Sequence, residues 1–192
     1  MLIAFEGGEG SGKSTQARLL AERLGAVLTH EPGATKLGAA LRALLLDGDQ
    51  VDPRAEALLM AADRAQHVAE VIAPALARGE TVVTDRYLYS SLAYQGFGRG
   101  LDLDAVRALS EFASAPPADV VVLVTVPATV REQRLGRALD RIESADAAFH
   151  ERVEAGFRHL AAGDPARWVV VDGTGTVEEV AARVWEAFSQ RG

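Results

Sequence analysis

Gly7-Gly8-Glu9-Gly10-Ser11-Gly12-Lys13-Ser14 fits the spacing G-x-x-x-x-G-K-[ST] of a phosphate-binding loop. Its neighbours supply the setting such a loop needs. Leu2-Ile3-Ala4-Phe5 is a short apolar run that reads as a buried strand. From Thr15 onward Ala17, Leu20, Ala21 and Leu24 recur at the spacing of one helix face. Glycines let the backbone approach a phosphate and aim successive N–H groups at it. The N-terminus of the following helix adds the positive end of its dipole. In loops of this kind the lysine, here Lys13, reaches the terminal phosphates, and the hydroxyl, here Ser14, holds Mg²⁺. The stretch implies that the chain binds a nucleoside triphosphate.

Further strand-like runs follow at Val27–Thr29, Thr81–Thr84, Val120–Val126 and Trp168–Val171. Helical patterns fill the spaces: Thr15–Leu24, Lys36–Leu46, Pro53–Ala77, Leu103–Ala113, Ala128–Leu135, Ser144–Ala161 and Val177–Gln190. Strands alternating with helices predict an α/β fold, a five-stranded parallel sheet with helices on both faces. The run from Val120 to Val124 is apolar without alternation, as a strand buried on both faces should be. Ligands of such sheets gather at the carboxyl ends of the strands. Here four strand exits carry polar or glycine-rich signals: the phosphate loop, His30-Glu31-Pro32-Gly33, Asp85-Arg86-Tyr87 and Asp172-Gly173-Thr174-Gly175.

At 192 residues, with 48% hydrophobic and 24% charged residues, the chain suits one globular domain with a full core. No apolar run approaches the ~18 residues of a membrane span. No basic region precedes the first apolar run, so the N-terminus does not read as a signal peptide. Cysteine is absent, which excludes disulfides and thiolate metal sites, and the four histidines show no zinc-helix spacing. A net charge of −7 argues against a long nucleic-acid partner. An acidic chain that binds polyanions must concentrate its cations locally.

Asp85 stands where a carboxylate beside a phosphate loop's Mg²⁺ is expected, although it also reads as a cap for the next helix. Arg134, Arg137 and Arg141 fall within eight residues after the fourth strand. Against the acidic background they read as a mobile lid over the phosphates; a solvated basic helix face is the alternative. Two like charges about 5 Å apart repel by roughly 3 kcal/mol at an effective dielectric of about 20. Two anionic nucleotides would therefore call for more than one lysine and one metal. A GTP switch is disfavoured, because its guanine-reading Asn-Lys-x-Asp motif needs asparagine and the chain has none.

Five blocks together resemble the thymidylate kinases (dTMP kinases) over nearly the full length. They are Phe5 to Thr15; Glu31-Pro32-Gly33-Ala34-Thr35 with Gly38 and Arg42; Asp63-Arg64-Ala65-Gln66-His67; Asp85-Arg86-Tyr87 with Ser90 and Ala93-Tyr94-Gln95-Gly96; and Asp140-Arg141-Ile142-Glu143. The resemblance implies a three-layer P-loop NTPase fold with a short lid at about 133–143. It implies Mg²⁺-dependent transfer from ATP to dTMP in dTTP synthesis, in a cytoplasmic homodimer. Carried over by residue, ATP would meet Gly7, Gly8, Glu9, Gly10, Ser11, Gly12, Lys13, Ser14 and Thr15. Arg137, with Asp172 and Thr174 of the loop running to Thr176 near adenine, would complete its site. Arg86 and Arg42 would grip the acceptor phosphate, Arg64 would donate to a thymine carbonyl, Tyr94 would pack on the deoxyribose and Gln95 would touch the base. Pro32, Met60 and Ser91 would complete that pocket. Glu9 would lie near the sugar 3′-hydroxyl and, with Ser14 and Asp85, the metal. Lys13, Glu9, Arg86, Arg134, Arg137 and Arg141 would carry catalysis. Apart from the family, Arg42 and Arg64 read equally as ion pairs on helices, and Tyr94 as core.

Two positions depart from the family pattern. Met60 stands where relatives commonly stack phenylalanine on thymine; a thioether can still pack on a ring, so weaker base selection is expected. Ala34 replaces a second glycine and would cost stability if that position needs φ > 0. The lid arginines, with none in the phosphate loop, resemble the bacterial branch. Another nucleoside monophosphate kinase is the nearest rival, and a regulatory phosphate-loop ATPase a more distant one.

Overall fold

The first strand, β1 (Leu2–Glu6), is buried along its whole length and stands at the centre of a parallel sheet. The computed structural model describes residues 1–46, 50–134, 141–142 and 145–191. The sheet runs β2-β3-β1-β4-β5, with β2 at Val27–His30, β3 at Val82–Asp85, β4 at Val120–Thr125 and β5 at Trp168–Asp172. Alternate residues of a strand face opposite sides, and the two cores follow that rule. Ile3 and Phe5 pack with Ala17, Leu20, Val180 and Val184 on one face. Leu2 and Ala4 pack with Ile72, Tyr87, Phe149 and Phe157 on the other. The result is the three-layer arrangement that the alternation of strands and helices predicts. Phe5 is fully buried; trimming it to alanine would cost about 3–5 kcal/mol.

Register brings the strand exits level. Phe5 and His30 each pair with Asp85, and Thr125 pairs with Asp172. Helix α1 (Lys13–Leu24) follows β1 directly and begins at Gly12 without a side-chain cap. Five later helices are capped by side chains: α2 (Lys36–Leu46) by Thr35, α3 (Pro53–His67) by Asp52, α6 (Leu103–Phe112) by Asp102, α8 (Ala147–Gly163) by Asp146, and α9 (Val177–Ser189) by a Thr176–Glu179 box. The open start of α1 leaves backbone donors facing the cleft for a ligand. Helix α2 (Lys36–Leu46) packs on α3 and spans the residues the sequence pattern predicts.

The predicted helix 53–77 is continuous but not uniform. After α3 the path widens into a π-turn over Val68–Ile72 and tightens again into α4 (Ala73–Ala77). Pro74 lies in the first turn of α4; it lacks an N–H and crowds the preceding turn, which the wider loop relieves. One element escaped the pattern altogether. Helix α5 (Leu88–Ser91) runs into a π-helical stretch, Leu92–Gly98. This segment is buried on nearly every side, so it carries no polar stripe to betray its period. Gly98 faces Phe149 and Val153 so closely that a Cβ would displace them. Helix α7 (Ala128–Arg134) leads toward the lid. Leu135, Ser144 and most of the 133–143 lid lie outside the described residues.

Candidate functional site

The loop between β1 and α1 is shaped by three glycines with positive φ, Gly7, Gly10 and Gly12. Gly7 has φ 142° and faces the Val124 carbonyl so closely that a Cβ could not fit, and Gly12 takes φ 90° at the helix start. Lys13 is buried beneath the loop. Burial, with the neighbouring Arg86 charge, pulls its pKa below the usual lysine value, while Glu9 at 3.8 Å opposes the shift. Arg86 leaves β3 in the left-handed region, φ 69°, unusual for a residue with a side chain. Its N–H is held by the Phe5 carbonyl at 2.9 Å, and its own carbonyl accepts from the Thr84 hydroxyl at 2.8 Å. The guanidinium donates to Gly7 O, Ser90 Oγ and Tyr94 Oη at 3.3, 3.1 and 3.2 Å, and it pairs with the Glu9 carboxylate. Burial works against its charge, but Glu9 and the surrounding acids outweigh that and keep it firmly protonated. One carboxylate, Glu9, thus sits between two cations, Lys13 and Arg86.

Asp85 and Ser14 line the same cleft. Asp85 Oδ1 is buried and takes no hydrogen bond among the described residues. An orphaned carboxylate oxygen in the same cleft as a hydroxyl fits Mg²⁺, which takes one or two protein oxygens and completes its shell with waters and substrate phosphates. The sequence reading overlooked Glu6, the last residue of β1. Its carboxylate is fully buried and accepts from the N–H groups of Tyr87 and Ser90 at 3.0 and 3.1 Å and from Ser90 Oγ at 2.5 Å. Burial raises its pKa to about 7. An acid within an otherwise apolar strand was the available signal.

The cleft holds about 720 Å³ in all, and away from the loop it opens into a second compartment. Every residue that the resemblance assigns to the acceptor lines it: Glu9, Pro32, Arg42, Met60, Arg64 and Arg86, then Ser91, Tyr94 and Gln95. Arg64 is the most tightly held. Its Nε donates to Glu31 at 2.9 Å, and its terminal nitrogens reach Ser110 Oγ, Ser91 Oγ and the Tyr87 carbonyl at 3.1, 3.0 and 3.3 Å. Glu31 also bonds His67 Nδ1 at 2.9 Å, and His67 Nε2 meets Thr29 Oγ1 at 2.6 Å. Tyr94 is both core and site: its ring packs edge-on against Phe149 and Phe157, while its hydroxyl meets Arg86 and Glu9. Arg42 donates to the Pro32 carbonyl at 3.0 Å, and Met60 packs at the edge of the core. Ala34 is not among the residues with positive φ, whereas Gly33 has φ 110°. The alanine therefore carries no backbone strain.

On the other side of the loop, Arg134 at the end of α7 donates to the Gly10 and Ser11 carbonyls at 3.4 and 3.3 Å. It also donates to the Gly173 and Gly175 carbonyls at 3.0 and 3.5 Å. It joins the phosphate loop to the loop after β5, where Asp172 accepts from Thr174 N and Oγ1, both at 2.9 Å. The Thr174 backbone N–H, seconded by its hydroxyl, lowers the Asp172 pKa. Arg137 lies outside the described residues. Arg141 does not join Arg134: it donates to the Leu45 carbonyl at 2.8 Å and to Glu56 at 2.7 Å, on α2 and α3. Glu56 itself was overlooked, because an acid in the first turn after Pro53 reads as an ordinary dipole partner.

A glycine-rich phosphate loop at a strand exit, two cations converging on one anion and a base-sized compartment beyond define a phosphotransferase that brings two nucleotides together. The comparisons narrow the class. The family model described as thymidylate kinase matches residues 5–184. A thymidylate kinase from Synechococcus sp. (strain JA-3-3Ab) is 49% identical, with 100% of this chain and 96% of that protein covered. One from Leifsonia xyli is 50% identical over 96% and 92%. The crystal structure of thymidylate kinase from Ehrlichia chaffeensis superposes with a TM-score of 0.82 at 31% identity, covering 98% of both chains. The chain belongs to the thymidylate kinase family, whose reaction is the phosphorylation of dTMP to dTDP by ATP.

Proposed function

We propose that the chain, acting as a single domain, transfers the γ-phosphoryl group of ATP to dTMP by direct in-line displacement, giving ADP and dTDP for dTTP synthesis. The observation that carries this reading is the convergence of Lys13 and Arg86 on Glu9. One cation belongs to the phosphate loop and the other to the acceptor compartment, so a group passing between two phosphates meets both. Lys13 and the loop N–H groups hold the donor phosphates, and Arg86 with Arg42 grips the acceptor phosphate, as guanidinium forks can. Ser14, Asp85 and Glu9 are the residues that would hold Mg²⁺, which would offset charge on the donor phosphates.

The acceptor oxygen of a phosphate is already ionised at neutral pH, so no strong base is required. Positioning and charge neutralisation supply the rate. Arg64 donates to a thymine carbonyl, Gln95 touches the base, and Met60 covers one ring face with Ser91 beside it. Tyr94 packs on the sugar where a ribose 2′-hydroxyl would otherwise stand. The loop carrying Asp172 and Thr174 lies near adenine, with Arg134 and Arg137 on the donor side. Arg141, tied to Glu56, would serve the lid from its far end. We further infer a cytoplasmic homodimer. Exposed Leu44, Leu58 and Phe112 on the neighbouring helices α2, α3 and α6 support self-association. Among the described residues no helix is long and apolar enough to cross a membrane.

The test is ADP formation from ATP and Mg²⁺ with dTMP, dUMP, UMP, CMP, AMP or GMP supplied separately. The expected result is stimulation chiefly by dTMP with dTDP appearing in step. Stimulation chiefly by a ribonucleotide would overturn the acceptor, and hydrolysis indifferent to all six would overturn the reaction.

A further inference from the structure

Glu56 is fully buried, yet it holds three partners. Gln95 Nε2 donates to its Oε1 at 2.9 Å, and Arg99 Nε reaches the same oxygen at 3.2 Å. Arg99 and Arg141 donate to Oε2 at 3.1 and 2.7 Å. Burial alone would push its proton back on, but hydrogen bonds from Arg99, Gln95 and Arg141 outweigh that and keep Glu56 ionised. An ionised carboxylate only accepts. The Gln95 amide must therefore turn its NH₂ toward Glu56, which leaves its carbonyl oxygen on the opposite side. Gln95 lines the cleft, and among the described residues nothing donates to its Oε1.

We infer that Glu56 is a positioning residue for base selection: it locks the Gln95 amide so that the cleft presents an acceptor to a ring N–H of the incoming pyrimidine. This rests on the reading of the compartment as the acceptor-base site. A thymine ring offers N3–H between two carbonyls, matching a carbonyl acceptor from Gln95 and a donor from Arg64. A ring without that N–H sets the Gln95 oxygen against a lone pair or a C–H, leaving a buried acceptor unpaired. The discrimination expected from one such bond is about tenfold to a hundredfold. A neutral glutamine at position 56 offers Gln95 either a donor or an acceptor, so the amide is free to turn.

The experiment compares kcat/KM for dTMP and for 3-deaza-dTMP, in which C–H replaces N3–H and the 4-oxygen becomes a hydroxyl, in the wild type, Glu56→Gln and Glu56→Asp; the change at the 4-oxygen is common to all three proteins and cancels between them. The aspartate keeps the charge for both arginines but falls one methylene short of Gln95. The wild type should favour dTMP by about tenfold or more, and each variant should cut that preference by about tenfold. The loss should arise through a higher KM for dTMP, with kcat changing much less. A purely structural Glu56 would lower thermal stability and leave the preference intact, and a preference retained in both variants would overturn the inference. A wild type indifferent to the two substrates would instead overturn the base-site reading. One arm needs no variant: the Gln95 side-chain amide protons, followed by NMR, should exchange slowly with and without dTMP. Their rapid exchange in the dTMP complex would equally overturn the locked amide.

Discussion

The two ends of the cleft solve the problem of buried charge in different ways. At the phosphate end, Lys13 and Arg86 face one carboxylate, Glu9, which sits on a loop and keeps a fifth of its side chain in solvent. At the base end, Arg64 and Glu31 are almost completely buried and bound on all sides by Ser91, Ser110, Tyr87 and His67. The first arrangement can trade its anion for a phosphate; the second cannot trade anything without leaving a charge stranded. Chemistry that moves charge is served by replaceable partners, and recognition that must stay still by fixed ones.

Substitutions can break this contrast. Lys13→Ala should lower kcat by about a thousandfold or more, because transition-state charge loses a dedicated cation. Circular dichroism and the melting temperature should stay near the wild type; a comparable loss of folding would show that the lysine holds the loop rather than the phosphates. At the opposite end, Glu31→Gln should behave as a folding defect first. Removing one partner of a buried ion pair costs about 3–5 kcal/mol, which urea titration would report as a lower midpoint. An unchanged midpoint would mean that the Arg64 network is slack and that both ends of the cleft hold replaceable partners.

Glu6 sharpens the comparison through pH. Its folded pKa of about 7 exceeds the ordinary 4.5, so the folded state holds the proton more firmly than the unfolded chain. Its contribution to stability is greatest below pH 4.5 and is lost as pH rises through about 7, a change of about 3 kcal/mol. Glu6→Gln keeps an acceptor for Tyr87 and Ser90 but has no proton to lose. Urea unfolding at pH 5 and pH 8 should show a smaller fall for the variant than for the wild type; parallel falls would acquit Glu6. The smallest effect concerns the replaceable anion. Glu9→Gln frees both cations and should tighten binding of inorganic phosphate by about tenfold, after allowing for solvent screening. Calorimetry that finds no gain would mean Glu9 does not occupy the phosphate position.

The same contrast explains what could be read from the sequence. The phosphate end is one contiguous stretch whose spacing carries its own chemistry, and the flanking strand and helix declare themselves by period. The base end is assembled from β2, α2, α3 and the α5 segment, which no local pattern joins. Its residues were legible only through resemblance to a family. Helix α5 stayed hidden because burial on all sides erases amphipathicity, and Glu56 because a first-turn acid looks like a surface residue. Arg141 stands seven residues from Arg134 and reads as its companion. In the fold it turns instead to α2 and α3, because hydrogen bonds to the Leu45 carbonyl and Glu56 hold it there.

Among the described residues Arg134 donates only to main-chain oxygens: two in the phosphate loop and two in the loop after β5. A clasp of that kind reads the path of the chain and is blind to the letters along it. Ser11 can be exchanged for another small residue during divergence without the arginine losing a partner, so long as the loop keeps its course. As far as this clasp is concerned, the side chains of Ser11 and of the loop after β5 are free to vary independently, while the arginine that couples the two loops, and the glycine turns that set their route, are not.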